Sequence, residues 1–208
     1  MGTSEPKAVS GANPGEHAAH ASPAVTYEAA KLGIWTFIAT EVLLFGGLFT
    51  TYIVFRTKFP HMFHADYVHL NRVLGAVNTV VLICSSLTVA LGIAAIRKGK
   101  QGMLRLCLVL TILLAAGFLV IKYFEWTEKF AHGLYPGTDV FFSLYFMMTG
   151  LHGLHVLAGM LVLGAVLVLA GQGRFSESYH TPVEISGLYW HFVDLVWIYL
   201  FPLFYLIG

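Results

Sequence analysis

Five apolar stretches, each about as long as a bilayer's hydrocarbon core is thick, leave this chain few ways to fold. They run about 32–55, 73–96, 103–124, 140–170 and 185–207. A helix needs roughly 20 residues at 1.5 Å each to cross that core. A helix also closes its own backbone hydrogen bonds, as a lipid environment demands. No stretch alternates with the period of two that a barrel strand would show. The spacing therefore predicts an all-α fold: a polytopic membrane helical bundle with five transmembrane helices, spread over residues 29–208. Composition agrees, because AVILMFWYC residues make up 57% of the 208 and charged residues only 11%. Soluble domains carry about 25% charged residues. A soluble enzyme, a coiled coil and a disordered chain are excluded together. A net charge of +1 leaves no electrostatic footprint for nucleic acid. Cys84 and Cys107 each lie in an apolar run and form no CxxC, so they read as small buried apolar groups.

Residues 1–28 carry no long apolar run and read as a flexible N-terminal tail, with no core for a signal peptide. His17 and His20 belong to that tail. Lys and Arg counts set the orientation. Seven (Lys7, Lys31, Arg97, Lys98, Lys100, Arg105, Arg174) fall on the N-terminal side and five (Arg56, Lys58, Arg72, Lys122, Lys129) on the other, which places the N-terminus in the cytoplasm. Between the third and fourth spans, about Glu125 to Gly137, the chain reads as a helical extension and then a turn at Tyr135-Pro136-Gly137. Glu125 and Lys129 are spaced i,i+4 there, which suits a solvated helical face.

The informative residues are the polar ones inside the spans, since a charge at a helix centre costs about 2.5–3.5 kcal/mol on insertion scales. Glu41 lies in the first span, Asn78 in the second, His152 and His155 in the fourth, and His191 and Asp194 in the fifth. His152 and His155 are i,i+3 and share a face, as do His191 and Asp194. Glu41 and Asp194 each lie roughly 13 Å below the cytoplasmic interface at 1.5 Å per residue, deep enough to share a cluster if their helices touch. Three readings fit this spacing. The histidines could ligate haem or a metal. The carboxylates could line a proton or cation path, as in an independent transporter. Or all of them could be helix-to-helix hydrogen bonds inside a bundle. Di-iron chemistry wants Glu-x-x-His on two spanning helices, and none of the five apolar stretches contains that motif.

Two strings narrow the choice. Thr149-Gly150-Leu151-His152-Gly153-Leu154-His155-Val156, followed by Gly159, resembles the signature of subunit III of the haem–copper respiratory oxidases. Tyr189-Trp190-His191-Phe192-Val193-Asp194-Leu195-Val196-Trp197 resembles a second signature of that family. Thr40-Glu41-Val42-Leu43-Leu44-Phe45, Asn78-Thr79 with Ser85-Ser86, and Glu125 after Ile121-Lys122-Tyr123-Phe124 fit in the same order, so the likeness covers about 30–208.

The resemblance implies a helical bundle divided by a V-shaped, phospholipid-holding cleft. The five spans would match the last five of the seven in longer members. It implies a non-catalytic accessory chain with no catalytic residue and no metal or haem of its own. Haem and copper would sit in partner subunits I and II, which reduce oxygen to water and pump protons. This chain would pack mainly on subunit I, stabilise the complex and support proton uptake. It would lie in the bacterial inner membrane as part of the aerobic respiratory chain. The electron donor, cytochrome c or quinol, would act on other subunits, and Glu41 leans the reading to cytochrome c. A nitric oxide reductase-associated relative is the remaining alternative. Roles also follow from the resemblance. Glu41 would face lipid near subunit I, His191 would pair with Asp194, and His152 and His155 would hydrogen-bond across helices. Tyr189, Trp190 and Arg174 would touch headgroups or acyl chains. Asn78 and Glu125 complete the lipid and structural polar set.

Overall fold

A computed structural model describes residues 23–207, so residues 1–22 of the expected tail, with His17 and His20, lie outside the described residues. Six α-helices follow in order: α1 (Pro23–Lys58), α2 (Pro60–Asp66), α3 (Arg72–Ile96), α4 (Gln101–Ala131), α5 (Val140–Gly171) and α6 (Thr181–Phe201). A 3-10 turn (Tyr67–His69) links α2 to α3, and a π turn (Pro202–Leu206) ends the described chain. All but α2 are long and apolar enough to span a membrane. The first span starts earlier than its apolar run. Ala24, Glu28, Ala29 and Ala30 favour helix, and a proline at the first position costs no hydrogen bond.

Local chemistry sets the other boundaries. The Asn71 side chain accepts from the Val73 and Leu74 N–H groups at 3.1 Å and starts α3. Asp139 does the same for α5 through the Phe142 N–H at 2.8 Å. The α3–α4 reversal needs only four residues because Gly99 takes φ +69°, which lets the Lys100 N–H reach back to the Ala95 carbonyl.

α3 and α4 form a tight antiparallel hairpin, and α6 runs through the middle, packed on α3 and α5. Between lipid-solvated helices, packing and polar bonds rather than the hydrophobic effect select partners. Small residues supply the close fit. Gly159 lies under the Trp190 indole, where a Cβ would come within 2.7 Å of it. α1 is peripheral: only 6% of its apolar stretch is buried, against 56% for α6. It touches the bundle along a narrow seam of Ile38, Phe45 and Tyr52, seven residues apart. At the Tyr52 end, Tyr52, Phe63, Phe141 and Phe204 pack edge to face with centroids 4.9–5.9 Å apart, fastening α1, α2, α5 and the π turn together. The Tyr52 hydroxyl donates to the Leu203 carbonyl at 2.5 Å.

Candidate functional site

The polar residues of the spans sort into four separate groups and a cleft. The first group joins α1 to α5. His155 Nε2 lies 3.0 Å from Glu41 Oε2, and His155 Nδ1 lies 2.8 Å from the Leu151 carbonyl. A carbonyl only accepts, so Nδ1 carries a hydrogen. One proton is then shared between Nε2 and Oε2, either as imidazolium with carboxylate or as imidazole with carboxylic acid. The Tyr189 hydroxyl donates to the His155 carbonyl at 3.2 Å, and Phe45 packs edge-on to the imidazole.

The second group zips α6 to α3. Trp190 Nε1 donates to Ser85 Oγ at 3.1 Å, and Trp197 Nε1 donates to Thr79 Oγ1 at 3.0 Å. His191 Nδ1 and Ser86 Oγ lie 2.6 Å apart. The expected His191–Asp194 pair does not form. Both side chains face α3, where Ser86 lies 2.6 Å from His191 Nδ1 and also approaches Asp194. Glu41 and Asp194 do not form one cluster either, because Glu41 is engaged with α5.

The third group is a set of buried side chains, Asn78, His152 and Asp194. Their polar atoms have no hydrogen-bond partner meeting strict geometry among the described residues, although Ser86 approaches Asp194. His152 therefore does not hydrogen-bond across helices. Its ring packs edge-on to Phe118 and tilts against Trp197 at 5.3 Å, whereas His155, one turn on, faces α1.

The fourth group overturns the solvated-face reading of Glu125 and Lys129. Both are buried, and Glu125 is fully so. Glu125 Oε2 accepts from Lys122 Nζ at 2.9 Å, and Oε1 accepts from Lys129 Nζ at 3.2 Å, Tyr145 at 3.0 Å and Tyr205 at 2.5 Å. Lys122 also lies 4.6 Å over the Trp197 ring. The i,i+4 spacing was equally compatible with this inward face. The sequence alone assigns no site role to Lys122, Tyr145, Tyr205 or Ser86. The available signal was that Lys122, Glu125 and Lys129, at i, i+3 and i+7, share one face of α4.

The cleft opens between α1 and the α5–α6 pair, with a volume of about 1250 Å³. Ile34, Phe37, Val162 and Leu169 line its apolar part, and Tyr189 lies toward the Glu41–His155 bridge. At one end Arg97 donates twice to Glu184 Oε1, at 2.7 and 2.9 Å, and His180 Nε2 lies 3.1 Å from the same oxygen. Of the three residues expected to touch lipid, Tyr189 lines this cleft. Trp190 is fully buried under Gly159 and cannot reach lipid. Arg174 is exposed on the α5–α6 connection and is not part of the lining.

A model of the family described as "Cytochrome c oxidase subunit III" matches residues 10–208. The chain belongs to that family. Cytochrome c oxidase subunit 3 of Synechocystis sp. is 37% identical over 196 residues, covering 93% of this chain and 81% of the relative. Cytochrome c oxidase subunit 3 of Corynebacterium diphtheriae is 36% identical, covering 85% and 87%. Cytochrome bo(3) ubiquinol oxidase subunit 3 of Pseudomonas putida is 32% identical, covering 85% of each chain. Membership extends over all the described helices of this subunit III chain. Among the described residues no group of three or more His, Cys, Asp or Glu side chains is placed to hold a metal. The spanning histidines fit a haem or copper poorly: both nitrogens of His155 are engaged, His191 meets Ser86, and His152 is wedged between two aromatic rings.

Proposed function

We propose that this chain is the accessory subunit III of a haem–copper terminal oxidase of the cytochrome c type, in a bacterial inner membrane with its N-terminus in the cytoplasm. The observation that carries the reading is the family match over residues 10–208. Of the relatives above, the 37% identical one is a cytochrome c oxidase subunit and the quinol oxidase subunit is 32% identical, which favours the cytochrome c donor. Redox chemistry belongs to partner subunits I and II, and subunit I is the main contact.

The work of this chain is positional. Phospholipid fills the cleft, with acyl chains along Ile34, Phe37 and Val162. Glu41 and His155 hold α1 at a set distance from α5 and keep one proton beside the lipid. That arrangement stabilises the complex in turnover and supports proton uptake by subunit I. Arg97, Glu184 and His180 at the cleft mouth supply both charge signs for a headgroup.

The test is to tag the chain in its host membrane, purify it in mild detergent, and record the subunit composition and visible spectrum. The expected result is a haem-containing complex whose haem stays with a large partner when this chain is stripped off. Recovery of the chain alone, colourless, would return the independent transporter; recovery alone with haem would make its histidines ligands. Oxidation of quinol but not cytochrome c would reassign the donor. Glu41→Ala should leave the haem spectrum intact while reducing lipid retention and survival in turnover. Loss of the haem signal from an assembled complex would contradict that role.

A further inference from the structure

At the opposite end of α1 from the cleft mouth lies a second cavity, about 440 Å³, lined by Ile53, Arg56, Thr57, Pro60, His61 and His64. The local fold builds it. The chain turns back after Lys58, the Phe59 N–H closes on the Phe55 carbonyl at 2.9 Å, and Pro60 opens α2. Phe63, fully buried between Tyr52 and Phe141, pins α2 across the end of α1. His61 and His64 are i,i+3 on α2 and both exposed, so they flank Arg56 from the second helix.

Arg56 is half-buried, and among the described residues no carboxylate lies within ion-pair distance of it. Asp66, the only acid between residues 56 and 72, does not line the cavity. A guanidinium is always charged and presents a planar fork matched to phosphate oxygens. Each of the two imidazoles lining the same cavity can add one ring N–H donor. The floor has the opposite character. Ile53 lines the cavity, and with Val54 it is exposed on the apolar flank of α1. A cationic rim at the end of a spanning helix over an apolar flank is the chemistry of a phosphodiester with acyl chains below it. A bare anion would leave the apolar floor unused.

We propose that Arg56, His61 and His64 form a phospholipid site that grips the headgroup phosphate while the acyl chains lie along Ile53 and α1. It is separate from the cleft, shares no residue with it, and does not depend on the cleft holding lipid.

The test uses the intact purified complex in nanodiscs containing phosphatidylglycerol with a photoactivatable group near its phosphate. After irradiation, adducts are mapped by peptide mass spectrometry. Adducts are expected within residues 53–64. The Arg56→Gln/His61→Ala/His64→Ala variant should lower their yield by about tenfold, the scale of losing a charge-assisted hydrogen bond. Adducts on the cleft segment 158–169 should stay unchanged, so failure here and failure of the cleft reading are told apart. No adduct in 53–64, or equal yield in the variant, would overturn the site. Displacement of the lipid by excess inorganic phosphate would overturn the lipid assignment in favour of a free-anion site. Should the triple variant not assemble, Arg56→Gln alone must show the loss.

Discussion

Replacing Glu125 by Ala should be the most damaging single change on α4. Among the described residues Glu125 is the only acid bonded to Lys122 and Lys129, and it is the acceptor for two phenols, all of them buried. Its removal strands two ammonium groups and two hydroxyls in a low-dielectric interior. Breaking a buried ion pair from one side costs about 3–5 kcal/mol. The rings around Lys122, with the Trp197 centroid 4.6 Å from Nζ, surround the ammonium before and after the change, so their cation–π attraction cancels in the difference. The loss is therefore at least about 3 kcal/mol, the lower end of that range. For a chain of this size about 2–4 °C accompanies each kcal/mol, so the release or unfolding midpoint should fall by about 6–12 °C. The assay is thermal release of the chain from the purified complex in mild detergent.

Glu184→Ala is the reference. It breaks the bridge to Arg97, which is 60% exposed, and such pairs contribute about 0–1 kcal/mol. Exchanging Lys122, Glu125 and Lys129 together for Met should recover much of the loss, because an apolar set of similar volume leaves no charge stranded. If Glu125→Ala is no worse than Glu184→Ala, the buried network does not hold this end of the bundle. The reasoning also fails if the triple Met variant is worse than Glu125→Ala.

Four further substitutions, one of them a control, probe the packing in the same melt. Gly159→Ala puts a Cβ within 2.7 Å of the buried Trp190 indole and should cost about 1–3 kcal/mol, while Gly153→Ala, with nothing within 4 Å, should be silent. Asn78→Leu removes a fully buried amide with no partner among the described residues, so it should be neutral or stabilising by up to about 1 kcal/mol; a clear loss would mean that the amide is held by a water or other group. Ser85→Ala takes the acceptor from Trp190 Nε1 and should cost about 1–3 kcal/mol, because the indole N–H is left buried and unpaired.

The spans were legible because a run of about 20 apolar residues has one solution in lipid. Rotation of each helix was not. Glu41 and His155 could be singled out by their cost in the membrane, yet their pairing depends on which face of α1 meets α5, and α1 is too evenly apolar to show a face. His191 and Asp194 illustrate the same limit: i,i+3 spacing permits a bond on one helix, but Ser86 on α3 offers His191 a partner at 2.6 Å. Glu125 and Lys129 were misread because i,i+4 ion-pair spacing looks alike in water and in a core. Tyr145 and Tyr205, which decide the matter, arrive from 20 and 80 residues away. The signatures of the fourth and fifth spans located the family from strings alone, but they could not say that Trp190 is sealed under Gly159 rather than facing lipid.

The cleft follows from how little of α1 is spent on the bundle. Its buried positions, Ile38, Phe45 and Tyr52, recur every seven residues, which gives a seam one side chain wide. Their exposure falls from 9% at Ile38 through 2% at Phe45 to 0% at Tyr52, so the contact is weakest toward Pro23 and tightest where Phe63, Phe141 and Phe204 gather. A helix fastened at one end and leaning off at the other must leave a wedge, and the cavity lined by Ile34 and Phe37 is that wedge. Glu41 sits between Ile38 and Phe45, where the seam is already loosening. A polar bond to His155 matters more there than beside Tyr52, where aromatic packing alone would hold. A carboxyl on a spanning helix, costly on its own, is thus placed where its bond to His155 ties α1 to α5 beside the wedge.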